Sequence, residues 1–490
     1  MARKTLEDAG TPEVFVSNTG ASQAVRRAYK RGALRKIAPR IYTGNFNDTP
    51  EQIVRRNLWP LVGDLFPGAV VSHRTAIEGK PFNDTVFLTA SKAGRLELPG
   101  LMIVRTRGAG PIEGDTGFIN GLHLSSRPRA FLENLQASWG TTPKTLPKTE
   151  IEAHLANAAT QDPEFGLNRI RDAARAIAPQ LSAEREFEKL DQIIGALQRT
   201  RKARLGAPAA IALHEGRAFD TRRIATLSAL HAALRNAPLV NRPNPPANDR
   251  AFQNVAFFDA YFSNYIEGTQ FEVGEAIAIV FDRKMSEQRP ADAHDVDGTF
   301  KVVGSFHNML QAAKTFDDFL GLLRDRHRTI LAGRPEMKPG TFKQAANQVG
   351  TTVFVAPQLV VGTLQQGWEL LGSLEHPFAR ALFTMFVVAE VHPFNDGNGR
   401  IARAMMNGEL IAGGQCRIMI PSVFRNEYIG GLRRLTNHGE PEAFLRVMDY
   451  AQTFVSQVDF TDLDAARQLM TRCNAFEDPA DDRKLLLPKG

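Results

Sequence analysis

The sequence predicts a mainly α protein, in which an all-helical C-terminal domain is preceded by an N-terminal winged helix and a small β-containing region. Three observations carry that prediction. From about residue 250 to residue 460, long segments repeat apolar residues at intervals of three and four, the period of a helix with a buried face. Between Thr85 and Ser126 the pattern changes to short β-type runs, TVFLTA, LMIVRTRG and FINGLHLSS, separated by glycines and prolines. Residues 14 to 46 read as helix, short turn, helix and strand pair, with a concentration of positive charge.

The bulk properties set limits on this picture. A chain of 490 residues, at roughly 100–200 residues per domain, holds two to four domains. Its 43% hydrophobic and 23% charged residues are those of an ordinary globular protein with a sizeable core. Two cysteines, Cys416 and Cys473, make neither a disulfide framework nor a cysteine metal site, which fits a reducing compartment. No apolar run reaches the ~18 residues that span a bilayer; the longest candidate, Ala381 to Val391, is short and contains Glu390. MARKTLEDAG lacks the apolar stretch of a secretory signal. The expectation is a cytoplasmic protein with no membrane partner.

Taken in order, TGASQAVRRAYKRG predicts a helix capped at Thr19 or Ser22 and stopped at Gly32. ALRKIAPRIYTG then alternates Leu34, Ile37, Ile41 and Tyr42 around a proline, which predicts a small β-wing. Between Asn18 and Arg40 stand seven cations, Arg26, Arg27, Lys30, Arg31, Arg35, Lys36 and Arg40, with no acid; they equal the whole net charge of +7. Such a patch suits nucleic acid, and equally a solvated helix face. Residues 50 to 80 and 127 to 200 read as helical, the latter interrupted by TTPKTLPKT. NAPLVNRPNPPANDR, at 236 to 250, is a loop or linker, and the charged tail from 477 reads as mobile. The predicted divisions are 1–84, a winged-helix domain; 85–200, an α/β middle region; 201–250, a helical connector with a proline-rich linker; 251–465, the helical domain; and 466–490, a tail.

Chemistry concentrates in VHPFNDGNGR, residues 391 to 400. The preceding EHPFARALFTMFVVAEV is apolar around most of its circumference and predicts a buried helix. Pro393 disfavours helical backbone at the residue before it, so His392 falls where that helix ends. NDGNGR supplies a tight turn, and IARAMMNGELIAGG an amphipathic helix. A turn opening into a helix presents free N–H groups and the positive end of the dipole, which suits phosphate. Arg400 and Arg403, three apart, share one face of the first turns. Asp396 beside an anion site is explained by a Mg²⁺ bridging phosphate oxygens. Together these residues describe phosphoryl or nucleotidyl transfer with His392 as general base.

His392-Pro-Phe394-Asn-Asp396-Gly397-Asn398-Gly399-Arg400-Ile-Ala-Arg403 resembles the signature HxFx(D/E)GNGRxxR of the Fic (filamentation-induced-by-cAMP) family at every fixed position, and the resemblance extends over roughly residues 250 to 460. It implies an all-helical Fic domain that transfers AMP from ATP to a Ser, Thr or Tyr hydroxyl of a protein. It further implies that His392 takes the hydroxyl proton and Phe394 anchors the loop. Asp396 would hold Mg²⁺, and Gly397, Asn398 and Gly399 would cradle the anion. Arg400 would reach the β-phosphate side and Arg403 the γ-phosphate. NEYIGGLRRLTNHGE resembles the segment touching the adenosine, with Tyr428 and Asn437 as its contacts. FKQAANQVGTTVFVAP resembles a hairpin flap that adds a strand to the target peptide, with Gly350, Thr351, Thr352, Val353 and Phe354 at its tip. Gln348 departs from the tryptophan frequent there.

A second motif precedes the first. FQNVAFFDAYFSNYIEG predicts a helix with Val255, Phe258, Phe262 and Tyr265 as its core stripe and Asp259, Ser263 and Glu267 on another face. Glu267 falls in the last turn, where the dipole disfavours an anion unless a cation faces it. Ser263-Asn-Tyr-Ile-Glu267-Gly268 resembles the family's inhibitory pattern (S/T)xxxE(G/N), which implies that Glu267 pairs with Arg403 and autoinhibits the chain. Less specifically, GALRKIAPRIYTG and VVSHRTAIEGKP resemble the winged-helix, DNA-binding antitoxin component of bacterial abortive-infection systems, over residues 14 to about 200. That resemblance implies DNA contacts by Arg26, Arg27, Lys30 and Arg31; a protein-interaction module is the alternative. The expected function is therefore an autoinhibited protein adenylyltransferase using ATP and Mg²⁺. Its alternatives are a DNA-binding regulator that mainly modifies itself and a Fic enzyme that removes AMP. The target protein is unspecified, and a homodimer is allowed for.

Overall fold

The computed structural model describes residues 12–17, 22–164, 166–244 and 248–488. The chain forms two compact units, Met1–Glu215 and Gly216–Gly490.

In the first unit, strands β1 (Val14–Val16), β2 (Arg35–Ala38) and β3 (Ile41–Thr43) form an antiparallel sheet in the order β1-β3-β2, with helix α1 (Ser22–Lys30) between β1 and β2. The expected first helix is a strand, because Val14, Phe15 and Val16 pair with Thr43, Tyr42 and Ile41. Among the described residues, only one helix, α1, therefore precedes the strand pair β2–β3. A start at Thr19 lies outside the described residues. Helices α2 (Pro50–Arg56), α3 (Leu58–Leu65) and α4 (His73–Glu78) follow, the first carrying a Thr49/Gln52 capping box.

Strands β4 (Val70–Val71), β5 (Thr85–Ala90), β6 (Gly94–Leu98), β7 (Leu101–Arg107), β8 (Thr116–Gly117) and β9 (His123–Leu124) build a mixed sheet in the order β6-β7-β5-β4-β9-β8. Helices α5 (Arg127–Asn134), α6 (Lys148–Gln161), α7 (Gly166–Leu181), α8 (Glu184–Leu197) and α9 (Pro208–His214) share a second core. The expected 201–250 connector is not one piece. Ala207 and Ala210 are buried in the first unit's helical core, whereas Leu227, Leu230 and Leu234 of α10 (Thr221–Asn236) are buried in the second unit's core.

The second unit is helical. It contains α11 (Asp249–Ile266), α12 (Val273–Val280), α13 (Pro290–Val303), α14 (Phe306–Met309), α15 (Phe316–Ile330), α16 (Val360–Leu371), α17 (Pro377–Val391), α18 (Asn398–Ala412), α19 (Arg425–His438), α20 (Glu442–Ser456) and α21 (Leu463–Arg472). One short hairpin, β10 (Gln348–Val349) with β11 (Thr352–Val353), interrupts them. α17 and α18 pack along each other at the centre. α18 is buried almost all round, not amphipathic as its sequence reads, because α11, α13 and α15 cover the face its polar residues occupy. α11 is likewise buried nearly throughout; of its expected stripe, Val255 and Tyr265 are only half-buried.

The predicted tail also differs. α21 buries Ala466 and Met470, and the segment after it packs back: Tyr450 donates to the Leu485 carbonyl (2.9 Å) and Leu486 N–H to the Cys473 carbonyl (3.0 Å). Leu485 is buried, an apolar anchor inside an otherwise charged stretch.

Candidate active site

The site is built where α17 gives way to α18. His392 caps α17 in left-handed backbone (φ 53°, ψ 59°), with its N–H still bonded to the Val388 carbonyl. Pro393 forbids the ordinary helical alternative, so the strain of a left-handed non-glycine residue fixes the imidazole at the helix end. Gly397 (φ 73°) turns the chain into α18, and a Cβ there would collide with Leu331. Asn398 closes the loop on itself: its Oδ1 accepts from the Phe394 N–H and its Nδ2 donates to the Phe394 carbonyl, both at 2.9 Å. Phe394 is fully buried, stacked on His327 with ring centroids 3.6 Å apart.

His327 was not singled out by sequence reasoning, yet it props the whole loop. Its Nδ1 accepts from the Gly340 N–H, so Nε2 carries the proton and donates to the Asp396 carbonyl (both 2.9 Å). The available signal was positional: His327 continues the buried stripe of Phe319, Leu320 and Leu323 on α15.

His392 is neutral. Burial pushes its imidazole down to about 4, Lys343 acts in the same direction, and the Ala389 carbonyl, Glu267 and Asp396 oppose only in part. Nδ1 faces the Ala389 carbonyl at 3.3 Å, a tautomer that leaves Nε2 bare as a proton acceptor. One imidazole face is covered by Phe354, with centroids 3.7 Å apart and planes 9° from parallel. Phe354 is therefore not at the flap tip, as expected from sequence. Gly350 and Thr351 form the tip, while Val349 and Val353 stand 59% and 57% exposed on the two strands.

The two arginines of the motif do not stand free side by side. Arg400 pairs with the fully buried Asp295 at 2.5 Å and lies 3.4 Å from Asp396, whose side chain is 41% exposed. Asp295 also accepts from Arg334 Nε at 2.7 Å. Arg403 is held by α11: Nε donates to Ser263 Oγ (3.0 Å), and Nη2 donates to the Ser263 carbonyl (2.8 Å) and to Glu267 Oε1 (2.7 Å). Glu267 is the C-cap of α11, so the cation its position demands is Arg403. Its carboxylate lies over Gly399, where a Cβ would collide with Oε1. The pair thus occupies the space beside the N-terminus of α18. Asp259, on the same face of α11, accepts from Arg417 and Asn407, each at 3.0 Å.

Residues 316–410 match the model of the Fic/DOC family. That stretch of the chain is similar to a Fic domain. Two similar relatives are the Protein adenylyltransferase Fic of Drosophila willistoni, 29% identical over 238 residues, covering 46% of this chain and 45% of that protein, and that of Nematostella vectensis, 28% identical over 205 residues, covering 40% and 47%. The chain therefore spans just under half the length of these relatives. A Fic-domain-containing signalling protein from Bacteroides thetaiotaomicron is 21% identical, with a TM-score of 0.37 over 50% of this chain and 98% of that one.

The adenosine contacts expected on α19 need correction. Tyr428 is 2% exposed, with its hydroxyl 3.9 Å from Met385 Sδ, so its ring offers no open wall. The inward face of α19 is Tyr428, Gly431 and Leu435, which leaves Asn437 exposed on the far side. Asp295, Arg334 and Arg223 were also missed, because charged residues on helical segments read as solvated faces. In the first unit, Arg26, Arg27 and Lys30 are exposed on α1, opposite the buried Val25 and Ala28, and Arg31 is exposed in the turn that follows.

Proposed function

We propose that the chain is a protein adenylyltransferase that uses ATP, held in check by Glu267. The observation that carries this reading is a neutral, oriented imidazole, His392, set immediately before a glycine-opened helix N-terminus. The target hydroxyl oxygen attacks the α-phosphorus as its proton passes to His392 Nε2. The bond from the α-phosphorus to the bridging oxygen breaks, and pyrophosphate leaves. The first N–H groups of α18 and Arg400 receive the phosphates, and Val349 to Val353 supply an edge to which the target adds a strand.

Magnesium suits this donor set. No group of three or more His, Cys, Asp or Glu able to hold an ion occurs among the described residues, and Asp396 is a single, half-open carboxylate beside Arg400. Asp396 would hold a Mg²⁺ here, and the ion's charge would offset that of the triphosphate.

Glu267 occupies Arg403, the cation that the γ-phosphate needs, and fills the volume over Gly399. Wild type and the Glu267→Gly variant, each incubated with a cell lysate and ATP labelled at the α-phosphate, test both parts. The variant is expected to label protein at least tenfold faster. Equal labelling overturns the brake; no labelling by a variant that still binds ATP overturns the transfer.

A second role is supported by the exposed quartet Arg26, Arg27, Lys30 and Arg31: α1 and the hairpin β2–β3 act as a winged-helix contact to duplex DNA.

A further inference from the structure

We propose that Arg223 is a positioning residue that latches the flap over His392 by joining the Val353 carbonyl to the Glu390 carboxylate. The inference rests on the adenylylation reading for the roles of the flap and of His392. Its geometry stands on the structure alone. A guanidinium presents donors in two directions within one plane. Arg223, on α10, points Nη1 at Glu390 Oε1 and Nη2 at the Val353 carbonyl. Both charged side chains are buried. Glu390 lies two residues before His392, and its second oxygen accepts from Thr436 Oγ1 on α19 at 2.7 Å. One carboxylate thus links α10, the end of α17 and α19, and Arg223 extends that link to the flap.

The flap needs such an anchor. A hairpin of two-residue strands has no independent stability. Its base is tied to the motif loop by Lys343 N–H to the Pro393 carbonyl (2.8 Å) and Asn347 Nδ2 to the Phe394 carbonyl (2.9 Å). Its outgoing strand has Arg223. Val353 is followed directly by Phe354, so the carbonyl that Arg223 grips belongs to the peptide that aims the ring at the imidazole. The charged groups facing His392 are Lys343 from the flap base, Glu267 from the end of α11 and Asp396 from its own loop. Phe354 shields the ring from water among them. Releasing Arg223 therefore loosens the target-docking edge and lets water reach the base.

The test uses the full chain in the Glu267→Gly background. The pair Arg223→Gln with Glu390→Gln removes the latch without stranding a buried charge. Amide exchange across residues 348–354 is expected to quicken at least tenfold, while that of α17 and α18 stays put. The His392 imidazole, followed by NMR, is expected to titrate closer to the ordinary ~6.5 than the parent does. The KM for protein target is expected to rise about tenfold or more, with the KM for ATP unchanged. Exchange and titration like the parent's overturn the latch. Should the parent itself transfer no AMP, the adenylylation reading fails, and exchange and titration still decide the latch. If the neutral pair does not fold, Arg223→Lys, which keeps a cation opposite Glu390 but loses the two-way fork, must give faster exchange across residues 348–354 than the parent; parent-like exchange there overturns the proposal.

Discussion

In the proposed reaction His392 is the base, and its environment makes two claims measurable. His392→Ala is expected to abolish AMP transfer while ATP affinity stays within a few fold, because none of the phosphate-facing groups depends on the imidazole; retained transfer contradicts the base assignment. Since burial holds the imidazole at about 4, it stays an acceptor through the whole range in which a free histidine would charge. The rate of Glu267→Gly is therefore expected to fall on the acid side near pH 4, where an unburied base would lose activity near ~6.5. His327 gives the matching stability statement: burial lowers it to about 4. Between about pH 6.5 and 4 the unfolded chain binds a proton that the folded chain refuses, so stability falls as pH drops through that window, by roughly 3 kcal/mol for this group. Urea unfolding of wild type and of His327→Gln, each at pH 7 and pH 4.5, measures it as the difference between the two pH dependences.

At the scale of elements, the helix ends matter more than the helices. α17 ends where proline dictates, α18 opens where glycine permits, and α11 ends on an acid that needs a cation. All three were legible, since each follows from one residue's backbone chemistry or charge. What the elements bring against them was not. Asp295 lies on α13 within the run ADAHDVDG, which reads as a solvated face, yet it is buried between Arg334 and Arg400. Asp295→Ala is expected to destabilise the second unit by about 3–5 kcal/mol, the cost of leaving the buried Arg400 guanidinium without its buried carboxylate. Thermal unfolding against wild type checks this; a change under about 1 kcal/mol contradicts the bridging role. Strand β1 was misread because three residues carry too little pattern to separate strand from helix without the partner β3.

For the whole molecule, the composition and the helical periods gave the class, and the motif pointed to the loop between α17 and α18; the division into units did not follow from either. The proline-rich stretch suggested a boundary near 236–250, but the units part at Glu215, because α10 buries its leucines in the second unit's core. The first unit's role is open to a direct measurement. If Arg26, Arg27, Lys30 and Arg31 meet phosphates, the logarithm of duplex affinity falls with the logarithm of salt at a slope of roughly −3 to −4. A flat dependence favours a protein-interaction module. One last consequence follows from where the parts of the second unit lie along the chain. Glu267, Asp295 and Arg223 all come before residue 316, upstream of the stretch that matches the family. On the proposed reading, the brake and the reacting loop are written in separate passages of one sequence, so substitutions upstream would retune when transfer occurs while leaving the loop's own residues untouched.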